Sequence, residues 1–434
     1  MDPPSVSRRH LLAAAGVGAA GTLGVVTRKR GPDTVSTQAD SPDWPLVHHD
    51  ARNTGANRRA SGPESDPDVR WRARRFGAGQ RFDGYLNLPT PAVVGDTVFV
   101  GGPSLSALRV RDGTERWSVG GAADETFHGA GFADGTLYVS TRYPDGPGVA
   151  AVAPTGERRW RRRIDSDFDV AQPPLVAGET VYVPGYTALA ALGAASGTRR
   201  WRTDAGARPA AHPAVTDDAL YAPTGWYGLF ARDRRQAFHA VPLGDPPRVR
   251  WRYEPDEMAR PAPAVGDDGR VFVPETEEWY PEHDEDRGKL AALAPDGSRR
   301  WAKPGGTVAT SPVVVDGTVY CKWGATVETV DKGEYVRGRS DARIAARNAD
   351  DGSVWWTRRF GDLGSWAISP VSDGDRLYVP LHDGAGDRSA VVALDAATGE
   401  TRWRRNLASP AYHLALAGRT LYVATANGTL FAFE

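Results

Sequence analysis

Three histidines fall at related positions in the repeated segments of this chain, and they are its strongest candidates for metal or acid–base chemistry. With the segments aligned on their second apolar strand, His212 and His413 occupy the same position and His128 lies one residue earlier. Imidazole nitrogens bind zinc and also titrate near neutral pH, so the sequence allows either chemistry. We favour a third interpretation, in which each histidine forms its own hydrogen bonds within the fold and no metal is bound.

The same aligned position carries small or hydroxyl-bearing residues in the other segments. They are Thr90, Gly129, Pro173, Ala262, Ser311 and Ser369. Asp169 lies in a loop that leads towards this position. Glycosidases use paired carboxylates, and none of the aligned residues is an acid, so polysaccharide hydrolysis is not indicated. The candidate site residues are therefore His128, His212, Ser311, Ser369, His413 and Asp169.

One insertion is rich in carboxylates and aromatic residues. Residues 275–287 contain seven acidic side chains, beginning with Glu275. Clustered carboxylates can bind Ca²⁺, but this segment lacks the spacing and the central glycine of an EF-hand. We predict a solvated acidic loop, and Trp279 and Tyr280 make a partner-contact loop the alternative. Residues 226–228 and 323–343 are similar candidates for partner contact.

The elements that must position these residues repeat along the chain. Glycine-containing segments end in tryptophan at intervals of 41 to 55 residues, at Trp71, Trp117, Trp160, Trp201, Trp251, Trp301, Trp356 and Trp403. Each segment combines short apolar strands with Gly-Asp or Asp-Gly turns, which supply the positive φ angles of tight hairpins. Repeats of this length are typical of propeller blades. Because one indole buries about 150–250 Å², we predict that each of these tryptophans packs against the next blade and holds the ring together.

The two ends of the chain complete each other. Residues 414–433 form strands without a closing tryptophan, whereas Trp71 and its neighbours have no blade before them. A strand near Trp71 that completes the last blade would leave no open sheet edge at the junction. The sequence therefore predicts an all-β, eight-bladed β-propeller with four-stranded antiparallel blades, in which the N- and C-terminal strands share the last blade.

The N-terminus has the pattern of an export signal. Arg8 and Arg9 precede an Ala/Gly-rich apolar stretch that ends near Val26. Paired arginines before a mildly apolar run are typical of twin-arginine signals, and the run is poor in the large apolar residues of a membrane span. We predict a signal or anchor over residues 1–30, a flexible linker over 31–42 and a single propeller over 43–434. The signal would be cleaved late or kept as a membrane tether.

Composition excludes several classes of function. The formal net charge of −1 does not favour nucleic acid, and a single cysteine, Cys321, allows no internal disulfide. Arginines flank many of the closing tryptophans, most densely at Arg158, Arg159, Arg161, Arg162 and Arg163. Charges repeated around outer strands block edge-to-edge pairing, and we expect that role for them.

The seventh repeat resembles the tryptophan-docking motif Ala-x-Asp-x-x-Thr-Gly-x-x-x-Trp of pyrroloquinoline-quinone-like (PQQ-like) propeller proteins. The matching residues are Ala393, Asp395, Thr398, Gly399 and Trp403. Trp44 and the run from His49 to Gly55 are similar to the start of many such proteins. The resemblance covers residues 44–434 and implies the propeller fold.

Two branches of this family imply different functions. Quinoprotein alcohol dehydrogenases bind the quinone and Ca²⁺ at the ring mouth, with a vicinal disulfide and long insertions. This chain has one cysteine and few insertions. It is more similar to the non-catalytic branch, exemplified by the scaffold lipoprotein of the outer-membrane barrel-assembly machinery, but lacks a lipid-attachment cysteine. We therefore expect an exported, monomeric, non-catalytic scaffold that binds envelope or extracellular proteins and needs no cofactor. The alternative is a PQQ- and Ca²⁺-dependent dehydrogenase.

Overall fold

In the part of the chain that the structure describes, short antiparallel strands are joined into hairpins by tight turns with positive φ angles. In the turn of the first hairpin Gly95 has a φ of 57°, and in a later hairpin Asp316 and Gly317 have φ values of 51° and 71°. The computed structural model describes residues 41–75, 88–120, 125–143, 146–164, 172–185, 188–204, 208–209, 212–225, 237–243, 248–256, 261–276, 288–306, 308–324, 342–361, 363, 368–383 and 388–434. All secondary structure in these ranges is β, and they contain no helix that could cross a membrane.

Eight sheets follow one another along the chain, and each is one blade. The first strand in the sequence, β1 (Val69–Arg74), belongs to the last blade. Blade 1 contains β2 (Ala92–Val94), β3 (Thr97–Val100), β4 (Ser104–Arg109) and β5 (Glu115–Gly120). Blade 2 contains β6 (Thr126–Ala133), β7 (Thr136–Tyr143), β8 (Gly146–Val152) and β9 (Arg158–Arg163). Blade 3 contains β10 (Leu175–Ala177), β11 (Thr180–Pro184), β12 (Ala188–Gly193) and β13 (Arg199–Asp204).

Blades 4 and 6 have their innermost strand in two pieces. Blade 4 contains β14 (Arg208–Pro209), β15 (Ala214–Val215), β16 (Ala219–Gly225), β17 (Ala237–Pro242) and β18 (Trp251–Tyr253). Blade 5 contains β19 (Ala264–Val265), β20 (Val271–Glu275), β21 (Lys289–Leu293) and β22 (Arg299–Pro304). Blade 6 contains β23 (Val308–Ala309), β24 (Val313–Val315), β25 (Thr318–Gly324), β26 (Arg343–Asn348) and β27 (Val354–Arg359).

The last two blades close the ring as predicted. Blade 7 contains β28 (Val371–Ser372), β29 (Arg376–His382), β30 (Ser389–Asp395) and β31 (Thr401–Leu407). Blade 8 contains β32 (Ala411–Ala417), β33 (Thr420–Thr425), β34 (Thr429–Phe433) and, outermost, β1. Strand β1 pairs antiparallel with β34, with Trp71 opposite Ala432. The eight-bladed architecture and the blade shared by the chain ends are therefore confirmed.

Closing tryptophans contact the following blade in a repeated geometry. The indole Nε1 of Trp117 donates to Pro154 O at 2.7 Å, and that of Trp301 donates to Ala349 O at 3.0 Å. Six of the closing indoles also lie over a turn glycine: a Cβ on Gly297, for example, would come within 2.6 Å of the Trp251 ring. Glycine is therefore required where the indole meets the turn. The contribution of these contacts to ring stability stays a prediction.

Blade 8 has no such turn, because its outer strand comes from the start of the chain. Trp403 of blade 7 donates instead to Pro63 O at 2.9 Å. Gly62 lies against the Tyr378 hydroxyl, where no Cβ would fit.

Apolar side chains fill the spaces between neighbouring blades, as where Tyr138 and Val149 of blade 2 meet Val181 of blade 3. The core therefore lies between blades and depends on their spacing.

Candidate functional site

The eight aligned positions at the start of the inner strands are structurally equivalent. Each lies two residues before the inner-strand residue that pairs with the aromatic residue of the second strand. His212, for example, precedes Ala214, which pairs with Tyr221. Likewise His413 precedes Ala415, which pairs with Tyr422. We call these eight residues the mouth positions.

Mouth residues contact their neighbours around the ring. Thr90 Oγ1 and His413 Nδ1 are 3.0 Å apart, which links blade 1 to blade 8. His212 Nε2 lies 3.1 Å from Pro173 O in the preceding blade. The histidines of blades 4 and 8 thus have separate partners, although the sequence allowed a shared ligand.

Ser311, His128 and Ser369 are the remaining candidate residues from the sequence that the structure describes. Ser311 Oγ accepts a hydrogen bond from Ala262 N at 3.1 Å, which links blades 5 and 6. His128 is buried beside a bulge of β6, and Ser369 is partly exposed in blade 7. Asp169 lies outside the described residues, as do Arg8, Arg9 and the predicted signal. Within the described part of the chain, no group of three or more His, Cys, Asp or Glu residues has the arrangement of a metal site.

The sequence reasoning missed a segment that lines the channel. Residues 42–62, here called the axial segment, run once around the inner strands in blade order. Amides three residues beyond the mouth positions donate to it in six blades: Val93 to Trp44 O, Phe132 to Pro45 O, Val215 to Ala51 O, Val265 to Arg52 O, Val314 to Thr54 O and Ser372 to Gly55 O. Leu46 packs against Leu175 of blade 3, and Gly418 N of blade 8 donates to Pro42 O. The axial segment therefore contacts all eight blades.

Two asparagines fix the axial segment to the ring. Asn53 has a left-handed φ of 57°, and its Nδ2 donates to Pro213 O at 2.9 Å and Pro263 O at 3.1 Å. Asn57 Nδ2 donates to Leu416 O at 3.0 Å. These bonds join the axial segment to blades 4, 5 and 8. The run from His49 to Gly55, noted only as a family resemblance, is therefore part of a segment that is bonded to the inner strands of the ring.

His48 brings a third imidazole to the two mouth histidines of blades 4 and 8. Its ring centroid lies 6.1 Å from that of His212, edge to face. Burial, followed by the neighbouring His212 and His413, lowers the pKa of His48 to about 3. Burial also lowers the pKa of both His212 and His413 to about 4. All three imidazoles are consequently uncharged at neutral pH.

Buried charged residues also occur on strand β20 of blade 5 and strand β25 of blade 6. Lys322 of blade 6 is 1% exposed, donates from Nζ to Pro380 O at 3.1 Å, and has a pKa lowered to about 7 by burial. Glu275 was expected in a solvated loop, and that expectation was wrong: it ends β20, is fully buried and accepts the Tyr253 hydroxyl at 2.6 Å. Residues 226–228, 277–287 and 325–341 of the candidate contact loops lie outside the described residues.

Comparison with known proteins places this geometry in context. The family model described as outer membrane protein assembly factor BamB matches residues 101–238 and 340–434, more than half of the chain. The structure of BamB from Moraxella catarrhalis is similar with a TM-score of 0.61 at 17% identity, over 85% of this chain and 100% of that one. None of the curated proteins compared matches the sequence significantly.

Enzymes share the architecture equally well. Quinohemoprotein alcohol dehydrogenase from Comamonas testosteroni has a TM-score of 0.67 at 14% identity, over 90% of this chain and 80% of that one. The corresponding enzyme from Pseudomonas putida HK5 has a TM-score of 0.64 at 15% identity, over 91% and 81%. At these identities the likeness shows the fold alone, so function has to be argued from the site.

Proposed function

The chain belongs to the family of the outer membrane protein assembly factor BamB, and from that premise we propose that it is an exported, non-catalytic scaffold that binds other proteins at the cell envelope. The BamB-like family itself supports an interaction role and an envelope location. The twin-arginine route, the N-terminal tether and a monomeric state belong to the proposal.

The observation that carries this proposal is the path of the chain's own axial segment along the inner strands of the blades. Six equivalent inner-strand amides donate to its carbonyls, and Asn53 donates to Pro213 and Pro263. Small ligands of propellers bind along this axis, but here the inner strands already have their hydrogen-bond partners there. The surfaces left for recognition are the outer strands and loops, which suit protein partners.

The alternative dehydrogenase function requires a quinone and Ca²⁺, and the described mouth residues do not fit them. Calcium sites use carboxylate and carbonyl oxygens, whereas the eight mouth positions hold no carboxylate. An anionic quinone would require cationic side chains, and the imidazoles of His48, His212 and His413 are uncharged at neutral pH. We therefore derive no catalytic step from this site.

Two measurements separate the alternatives. Purified protein mixed with PQQ and Ca²⁺ is assayed for dye-linked oxidation of alcohols and sugars; we expect no rate above a heat-denatured control. In parallel, the tagged chain is cross-linked in intact cells, the linked protein is identified, and the purified pair is tested for co-elution. A quinone-dependent rate without a co-eluting partner would overturn the scaffold function.

Export is tested by a charge-conserving change. In the variant Arg8→Lys with Arg9→Lys, we expect the precursor to accumulate in the cytoplasm, because twin-arginine signals depend on the arginine pair. Arg28→Lys with Arg30→Lys is the matched control and should leave export unchanged. Normal export of the first variant would contradict the twin-arginine route and leave the scaffold function to the binding experiment.

A further inference from the structure

The outer strand of blade 6 departs from the pattern of the other blades. In seven blades the residue immediately before the closing tryptophan is arginine: Arg70, Arg116, Arg159, Arg200, Arg250, Arg300 and Arg402. In blade 6 this position is Trp355, and Val354 precedes it. The difference replaces a cation with the largest apolar side chain at one place in the ring.

In other blades the arginine at this position pairs with a nearby acid. Arg116 pairs with Asp96 in blade 1, and Arg250 Nη1 lies 2.7 Å from Asp218 in blade 4. The corresponding turn of blade 6 contains Asp316, which pairs with Arg58 of the axial segment at 2.9 Å. Because Arg58 supplies the cation for this carboxylate, blade 6 does not require an arginine at position 355.

The blade 6 substitution leaves apolar surface on a sheet edge. Among the described residues, four large apolar side chains are exposed, and Trp355 at 53% is the one aromatic member. Its neighbour Val354 is 47% exposed. Both lie on β27, which pairs with β26 on one side and is the outermost strand of its sheet. Strand β27 is therefore an outer sheet edge that lacks the arginine found at this position in the other seven blades.

We propose that β27 of blade 6 binds an extended acidic segment of a partner protein, which adds to the sheet as a further strand. The open edge supplies backbone hydrogen bonds, and Trp355 supplies a rigid apolar anchor of the kind that dominates interface energetics. Arg358 and Arg359 lie on the same strand, which contains no acid. Charge complementarity therefore selects an acidic partner, whereas a second copy of β27 would bring four arginines together. This inference rests on the proposed scaffold function and locates one of its surfaces.

The test uses a displayed library of random ten-residue peptides, selected on the full-length protein. Trp355→Arg is the counter-selection variant, because arginine occupies this position in the other blades and the fold accepts it there. Val249→Arg is the matched control, since Val249 is 57% exposed in blade 4. Selected peptides are then measured by fluorescence anisotropy, together with versions in which each acid is changed to lysine.

We expect enriched peptides that alternate acidic and apolar residues. Trp355→Arg should weaken their binding by at least about tenfold, as for an interface hot spot, and Val249→Arg should leave it unchanged. Peptides that bind Trp355→Arg equally well, or basic versions that bind as tightly, would overturn the proposal. A wild-type dimer that Trp355→Arg converts to monomer would also overturn it, in favour of a second copy. If the envelope partner still co-elutes with Trp355→Arg at wild-type affinity, the scaffold function stands and this surface is wrong.

Discussion

Asn53 offers a direct test of whether the axial segment is an integral part of the propeller. Its side chain is 1% exposed and donates to Pro213 O at 2.9 Å and Pro263 O at 3.1 Å. Each such bond contributes about 1 kcal/mol net, and a buried carbonyl left without its donor costs about 1–3 kcal/mol. Asn53→Gly should therefore lower the free energy of unfolding by about 2–4 kcal/mol.

Backbone conformation adds a second effect at the same residue. Asn53 has a φ of 57°, which asparagine and glycine tolerate and alanine disfavours by about 1–2 kcal/mol. Asn53→Ala should therefore be less stable than Asn53→Gly by about 1 kcal/mol. The gap between the two variants separates backbone strain from lost hydrogen bonds.

The assay is urea unfolding followed by far-UV circular dichroism, with Asn406→Ala as control. Asn406 lies on the outer strand β31, so its substitution should change stability by less than about 0.5 kcal/mol. If Asn53→Gly is as stable as the wild type, the hydrogen bonds to blades 4 and 5 do not hold the axial segment. If Asn53→Ala equals Asn53→Gly, the left-handed backbone is not maintained in solution.

Three further predictions concern the ring itself. Trp301→Leu removes a buried indole and its bond to Ala349 O, and should cost about 3 kcal/mol in urea unfolding; an unchanged midpoint would refute a stabilising role of the indole. Arg72→Pro with Ala73→Pro removes at least one amide bond between β1 and β34, and should lower the melting temperature, whereas an equal melting temperature would mean that the ends do not pair. The folded-state pKa of His212 is lowered to about 4 from about 6.5, so the unfolded state binds more protons between these values and stability should fall from pH 6.5 to pH 4 by about 3 kcal/mol from this residue. His212→Asn should flatten that pH dependence, and an identical slope in both proteins would contradict the lowered pKa.

The mouth positions show how far an alignment of repeats can carry a site prediction. Alignment alone placed His212 and His413 at equivalent positions, because both are counted from the same aromatic residue of the second strand. What these residues do there depends on burial and on neighbours from other blades. His48 is distant from both mouth histidines in the sequence and lies beside His212 only because the axial segment runs along the inner strands.

The sequence by itself determined the number of blades, their strand order and the shared last blade, because a local hairpin pattern ending in tryptophan recurs along the chain. Periodic local signals of this kind do not depend on distant residues. Only the tertiary structure decided the path of residues 42–62, whose contacts, such as that of Asn57 with Leu416, join positions 359 residues apart. The exposure of Trp355 was also decided by the tertiary structure. The sequence shows it only as one of fourteen tryptophans, and it is exposed because it lies on an outer edge strand.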